Sequence, residues 1–443
     1  MLDITLEETL WLSGLIIEFA LTILWAYTSK GKYTFFQPPI FLSLIFFYYV
    51  IGGLGISPLL DLDFIDRGIN LRSGLVFALK GTFIFYTSFL LSYFTNLGPV
   101  IKKRETFLNP KIGRTLGRFF NICGLFLFFL VAGKAIFVLI LPINVNVDIS
   151  NNLNYILGGQ SGGLLGPFTN YGSLAINFLI PGNLLLIGYF FKTNKLKIEV
   201  FLWLLITFGI YTSLGFRYRI LILLAGIFCL RFFAKNIKLK PIKSFLPVTF
   251  IVLFLGLIGE SRNYGQGLSL ERVSGVLNIF GGLFNEAKVF LSTGKVISLY
   301  PDNIDFIGLK PIFNAILSPI PSVFLSNKGG SKYLTEPLAQ IYGGVIEAKG
   351  ASLLNFGEYY MMFGWISVIF MGVLIGFLYR FLWLWFIQRK DELLAQVIYV
   401  THLSYIYVLI SRGYTTQVMM LYFFTVYPTI FYYYKISNKI KSN

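Results

Sequence analysis

Charge is scarce in this chain. Only 13% of its 443 residues are Asp, Glu, Lys or Arg, too few to clothe a soluble domain of that length. Soft metal ligands are scarcer still. There is one histidine, His402, and two cysteines, Cys123 and Cys229, each inside an apolar run. Neither cysteine has metal-ligand spacing or an evident disulfide partner, so the redox compartment stays open. The sequence has no HExxH, no Walker motif and no cysteine–histidine cluster, and no Asp-x-Asp pair in the loops assigned below to the cytoplasm. The Gly-rich segment Gly158–Gly166 lacks the Lys-Ser/Thr of a P-loop and reads as a flexible outer loop or re-entrant turn. Neither a metal- nor an ATP-driven mechanism is expected, and no cofactor.

What fills the chain is apolar. Hydrophobic residues make up 56% and aromatics 18%, many of the latter at the ends of apolar blocks, where a membrane aromatic belt would place them. About eleven blocks have the length a bilayer needs. They fall near 10–27, 40–59, 74–93, 119–140, 174–191, 200–214, 220–233, 245–259, 359–385, 397–410 and 417–434. The expectation is an all-α, polytopic integral membrane protein. Its parts would be eight helices over 1–259, a structured extracytoplasmic loop over 260–355, and three helices with a cytoplasmic tail over 356–443. The acidic start, Met1–Glu8, lacks the basic region of a cleaved signal, so the first apolar block is expected to be retained.

Basic residues outnumber acidic ones 37 to 20. A surplus of that size on a soluble protein would suggest nucleic acid. Here most of it sits in alternate short loops, at Lys30 and Lys32, Lys102 to Arg118, Lys192 to Lys197, Lys235 to Lys243, Arg389 and Lys390, and from Lys435. The intervening loops are acidic, as at Asp61, Asp63 and Asp66, or nearly neutral. The positive-inside rule therefore puts the basic loops in the cytoplasm, the C-terminus inside and the N-terminus outside. The partner implied is a bilayer, not a nucleic acid.

Four arginines then stand on the outer side, where topology does not ask for them: Arg217, Arg219, Arg262 and Arg412. Each lies beside Gly or Tyr at a predicted helix end, at headgroup depth. Guanidinium groups bind phosphate in a fork and stay charged in a partly dry site, so the set suits a lipid-linked phosphate or pyrophosphate. Snorkelling to bulk headgroups is the plainer alternative. Two carboxylates, Glu358 and Glu347, are candidates for a general base; Glu260 reads as an ion-pair partner of Arg262. Tyr264, Tyr300 and Tyr342 could stack on sugar faces. Ionisable residues inside apolar blocks, Glu18, Lys80, Lys134, Glu199 and His402, are costly in lipid. For His402 an interhelical hydrogen bond is expected.

Around these arginines the chain resembles the bacterial oligosaccharide repeat-unit polymerases of the Wzy family, in the enterobacterial common antigen branch above all. The similarity is carried by Gly215-Phe216-Arg217, Arg262-Asn263-Tyr264-Gly265, Asp302 to Pro311, Gly357-Glu358-Tyr359 with Phe363-Gly364-Trp365, and Arg412. It covers the second half of the chain, and the first half only by hydropathy. The resemblance implies a bundle like that of the C-type glycosyltransferases, in the bacterial inner membrane. It also implies metal-independent joining of undecaprenyl-pyrophosphate-linked repeat units at the outer face, with a chain-length regulator as a partner. An O-antigen ligase, and a lipid-linked glycan or ion transporter, are the competing readings.

Overall fold

Helices carry nearly all the regular structure, as long apolar blocks require: an element exposed to lipid must satisfy its own backbone groups. The computed structural model describes residues 5–56, 64–95, 109–133, 135–140, 168–239, 287–321, 332–346 and 351–442, with a few short pieces between them. In chain order the helices are α1 (Leu6–Thr28), α2 (Pro38–Ile51), α3 (Leu75–Phe94), α4 (Pro110–Ala132) and α5 (Thr169–Thr193, with a 3-10 turn at Ile176–Phe178). Next come α6 (Lys197–Ser213), α7 (Arg217–Ala234), α8 (Lys288–Ile297), α9 (Lys310–Leu317) and α10 (Lys332–Tyr342). The last five are α11 (Asn355–Phe363), α12 (Trp365–Ile387), α13 (Leu393–Ser411), α14 (Thr415–Thr425) and α15 (Tyr427–Ser442). Among the described residues the strands form two short antiparallel pairs, Ile65–Asp66 with Ile69–Asn70 and Arg262–Asn263 with Gly267–Leu268.

Six helices among the described residues are long and apolar enough to cross a membrane: α1, α3 with its lead-in from Arg72, α4, α5, α12 and α13. The chain is an all-α, multi-pass membrane protein. The blocks expected at 200–214 and 220–233 form the helices α6 and α7, of 17 and 18 residues, which are not among those six. The span expected at 245–259 lies outside the described residues. Three other expectations need correction. The block at 119–140 is not one helix: α4 begins earlier, at Pro110, and stops at Ala132 before Gly133 with its φ of +53°, and a separate short helix covers Ala135–Leu139. The block at 359–385 is not one helix: Gly364 breaks it with a φ of +69°, a conformation open to glycine. The last block is split before Tyr427, where Pro428, which has no N–H to give a preceding turn, opens a new helix.

Burial sorts the helices. In α13 the share of the apolar window buried inside the protein is 83%, and in α1 it is 22%. Thus α13 is the central post, packed against α2, α5, α7, α12, α14 and α15, and α1 is peripheral, showing Leu10, Ile17, Leu21 and Leu24 outward. A helix apolar all round belongs in such a centre. Small residues set the closest approaches. Gly372 and Gly376 of α12 lie on α3, where a Cβ at Gly376 would fall 2.4 Å from the Phe89 carbonyl oxygen. Gly294 of α8 meets Gly74 at the head of α3 so closely that a Cβ would fall 1.8 Å from the Gly74 carbonyl oxygen.

Besides bonds inside the bundle, such as Thr22–Tyr86 and His402–Tyr422, polar contacts between distant segments mark its two ends. At one end Lys32 and Tyr33 bond Asn236, Lys192 bonds the Asp391 carbonyl, and Arg118 pairs with Glu199 through two 2.6 Å bonds. At the other, Arg72 pairs with Glu8, Lys288 bonds the Ile65 carbonyl, Lys295 bonds Ser73 and Tyr342 bonds Asp66. Lys32 and Lys192 of the basic loops lie at the first end and Asp66 of the acidic loop at the second. The first is called the basic-loop end, the second the opposite end.

Candidate functional site

The site lies at the opposite end, where α7, α10, α11, α13 and α14 meet. It starts from a carboxylate. Glu358 is fully buried, in the first turn of α11. Its Oε1 accepts from the Tyr333 hydroxyl of α10 at 2.7 Å, and its Oε2 accepts from the Thr415 backbone N–H at 2.8 Å and from the Thr415 hydroxyl. Nine residues of helix are too short to cross a bilayer, so α11 stands at the end of the membrane part. Burial holds the Glu358 carboxyl above the usual carboxylate range, against the pull of the Thr415 and Tyr333 donors. Burial and the adjoining Glu358 carboxylate push the Tyr333 hydroxyl up.

Thr415 opens α14, so the carboxylate caps that helix while tying it to α11. The turn joining α13 to α14 is held from the other side as well. The Gly413 N–H donates to the Leu353 carbonyl at 2.6 Å, and a Cβ at Gly413 would fall 2.6 Å from the Leu354 carbonyl oxygen. Only glycine lets the backbone pass there. Arg412 is thereby presented at a fixed place, its guanidinium 5.7 Å from the centre of the Tyr218 ring.

Tyr218 belongs to the first turn of α7, and Arg219 follows it. Arg219 is 4% exposed, and its guanidinium lies 3.4 Å from the centre of the Phe216 ring and 5.5 Å from that of Tyr218. Its Nε and Nη1 have no hydrogen-bond partner among the described residues, and neither does the buried Ser411 hydroxyl at the end of α13. Unmatched buried donors on a guanidinium are costly; an anion seated beside Arg219 would satisfy them. Cation–π contact orients the two arginines without neutralising them.

The predicted site residues divide as follows. Arg219, Arg412 and Glu358 are drawn together through Tyr218 and the turn before α14. Arg217 sits two residues from Arg219 at the same helix start, half-buried. Arg262 lies in a strand pair, and its side chain, with Tyr264 and Glu347, is outside the described residues. Tyr300 is buried and stacked on Phe306, with its hydroxyl unbonded among the described residues. Tyr342 bonds Asp66 through its hydroxyl and carries Arg67 over its ring, so both of its sugar-binding features are engaged within the protein. Of the other ionisable residues, Glu18 bonds Thr87, Lys80 lies between the rings of Trp11 and Trp365, and Glu199 pairs with Arg118. His402 bonds Tyr422 of α14 at 2.8 Å, the interhelical contact expected of it; Lys134 is outside the described residues. Sequence reasoning missed Tyr333 and Thr415 as partners of Glu358, and Tyr218 as the ring shared by two arginines. The alternation Phe216-Arg217-Tyr218-Arg219 was the one available signal.

Compared with protein families, with curated proteins and with solved structures, the chain has no match in any of the three.

Proposed function

We propose that the chain is a glycosyltransferase of the bacterial inner membrane that joins lipid-pyrophosphate-linked oligosaccharide units at the outer face. The observation that carries this reading is the buried Arg219 with open donors, sharing the Tyr218 ring with Arg412 beside the Glu358–Thr415 contact. In this reading the end bearing Glu358 faces outward and the basic-loop end faces the cytoplasm. Arg219 and Arg412, with Arg217 two residues from Arg219, hold the pyrophosphate in this reading, and Arg262 is the fourth candidate for it. Fixed guanidinium groups stabilise its departing charge.

The acceptor hydroxyl attacks the anomeric carbon of the donor sugar. The bond from that carbon to the pyrophosphate oxygen breaks, its electron pair leaves with the lipid pyrophosphate, and the hydroxyl proton passes to a base. Glu358 is the base in this proposal. The Tyr333 hydroxyl occupies the place that an acceptor hydroxyl would take, and a carboxylate raised by burial is a stronger base than one in water. Glu347 is the second candidate. The lipid-linked saccharide and the bilayer are the partners, with a chain-length regulator as the resemblance implies.

Reconstitution in vesicles with a lipid-pyrophosphate oligosaccharide tests this. Longer lipid-linked products, lost in Arg219→Ala and Arg412→Ala, are the expected result. Translocation of the lipid without new bonds would replace the proposal with a transporter, and transfer only to a different lipid acceptor would replace it with a ligase.

A further inference from the structure

A second feature of the opposite end concerns the membrane itself. The short helix α9 buries Pro311 and Ala315 as it packs against α11 and α14. Its other side carries Leu309, Phe313 and Ile316, with Ile320 one turn on. All four are exposed, Phe313 and Ile316 by 59% and 61%. Phe313 and Ile316, three apart, share one side of α9, with Leu309 at its N-cap and Ile320 three residues past its end. From Phe306 to Pro321 the only charged residue is Lys310. Several large apolar side chains side by side at a surface mark something that covers them.

The neighbouring elements identify the cover. The N–H groups of Ile307 and Gly308, just before α9, donate to the carbonyls of Met361 and Met362 in α11, at 2.9 and 3.2 Å. Phe306 lies against Gly364, where α11 hands over to α12, and the exposed Phe363 adjoins Gly308. Immediately beyond are Ile366 and Phe370, exposed on α12, a helix long and apolar enough to span a bilayer. The uncovered stripe of α9 therefore continues the lipid-facing wall of a transmembrane helix. A soluble partner seated on it would meet acyl chains on the same surface.

We propose that α9 is an in-plane helix seated in the bilayer at the level of the α11–α12 junction, its stripe against acyl chains and Lys310 among the headgroups. Short helices with one apolar face and a lone cation at the rim suit that position. Because α9 also packs on α14, whose first residue holds Glu358, one wall of the candidate site is a membrane-embedded surface. An amphiphile can then arrive sideways from the lipid, with its polar head already at the depth of Glu358 and Arg412. The proposal stands whatever reaction the site performs.

Site-directed spin labelling of the full-length protein in vesicles tests it. With Cys123→Ala and Cys229→Ala as background, labels are placed singly at Leu309, Phe313 and Ile316, with Ile366 as the lipid reference and Asp302 as the water reference. Collision rates are read with oxygen, which partitions into acyl chains, and with a water-soluble nickel chelate. The expected oxygen-to-nickel ratio at the three stripe positions matches that at Ile366 and exceeds that at Asp302 severalfold. A ratio matching Asp302 overturns the proposal. Low collision with both reagents overturns it too, in favour of a protein partner or a second copy over the stripe. The native chain, in which exposed carbons are modified by hydroxyl radicals, provides a check free of substitutions: Phe313 should be protected in vesicles.

Discussion

Arg219 and Arg412, 193 positions apart in the chain, lie against the same aromatic ring, that of Tyr218. The ring centre lies 5.5 Å from the Arg219 guanidinium and 5.7 Å from that of Arg412, attracts both, and leaves Nε and Nη1 of Arg219 open among the described residues. The ring matters more than its hydroxyl. Tyr218→Phe is expected to leave glycan-chain extension near normal, and Tyr218→Ala to lower it at least tenfold, as are Arg219→Lys and Arg412→Lys, because a lysine cannot reproduce the fork. Chain-length ladders from cells lacking the wild-type copy, with membrane protein levels alongside, read this out. Full activity in both lysine variants would remove the arginines from the site.

Glu358 has two duties that mutation can separate. Glu358→Ala leaves the Tyr333 hydroxyl and the Thr415 N–H buried without an acceptor, at a cost of about 1–3 kcal/mol each, so thermal unfolding in detergent should begin several degrees lower. Tyr333→Phe removes one donor and leaves the carboxylate with Thr415. It should keep most of the stability and, if an acceptor hydroxyl replaces Tyr333 in turnover, most of the activity. A Tyr333→Phe protein that is folded yet inert would assign the proton transfer elsewhere.

The helix crossings make a separate prediction. Gly376→Ala would put a methyl 2.0 Å from the Ser92 hydroxyl and 2.4 Å from the Phe89 carbonyl oxygen, which forces α3 and α12 apart. Gly68→Ala, at φ +80° with open space around it, meets only backbone strain of about 1–2 kcal/mol. Yield of folded protein by size-exclusion chromatography should fall sharply for the first and little for the second. Equal yields would mean that the α3–α12 contact is looser than described.

The two ends of the bundle can be assigned to the two sides of the membrane. A single cysteine at Lys288 or Ser73 should react in intact cells with an impermeant maleimide. One at Lys32 or Lys192 should react only after the membrane is opened. The reverse pattern would place the candidate site in the cytoplasm and sink the proposed reaction with it.

How much of this could be read from the residues follows from what hydropathy senses. Lipid exposure writes itself into sequence as long apolar blocks, so the helices over 6–28, 75–94 and 393–411 lie where the blocks predict, while the helix over 110–132 is set well toward the N-terminus of its block. Loop charge also points to the two ends: Lys32 and Lys192 of the basic loops make their contacts at one and Asp66 of the acidic loop at the other. The break at Gly364 was not legible, since one glycine in an apolar block is also common where helices cross, as Gly372 shows eight positions on. Nor was the meeting of Tyr333 with Glu358. That contact is set by how α10 packs, and an amphipathic eleven-residue helix gives no hint of which carboxylate it will cover. The arginines were found because charge on the sparsely charged side is conspicuous; their shared ring was not, because stacking leaves no period in the sequence.

Glu358 is covered by a tyrosine made before it and a threonine made after it. During synthesis the carboxyl therefore enters the membrane end of the protein with only Tyr333 to receive it, and waits for fifty-seven more residues before Thr415 arrives. Until the ribosome has delivered α14, an acid lies half-dressed in an apolar setting, which favours its protonated form. A nascent chain stalled short of Thr415 should thus be a ready substrate for membrane quality-control proteases, and completion of the penultimate helix is what turns the parts into a site.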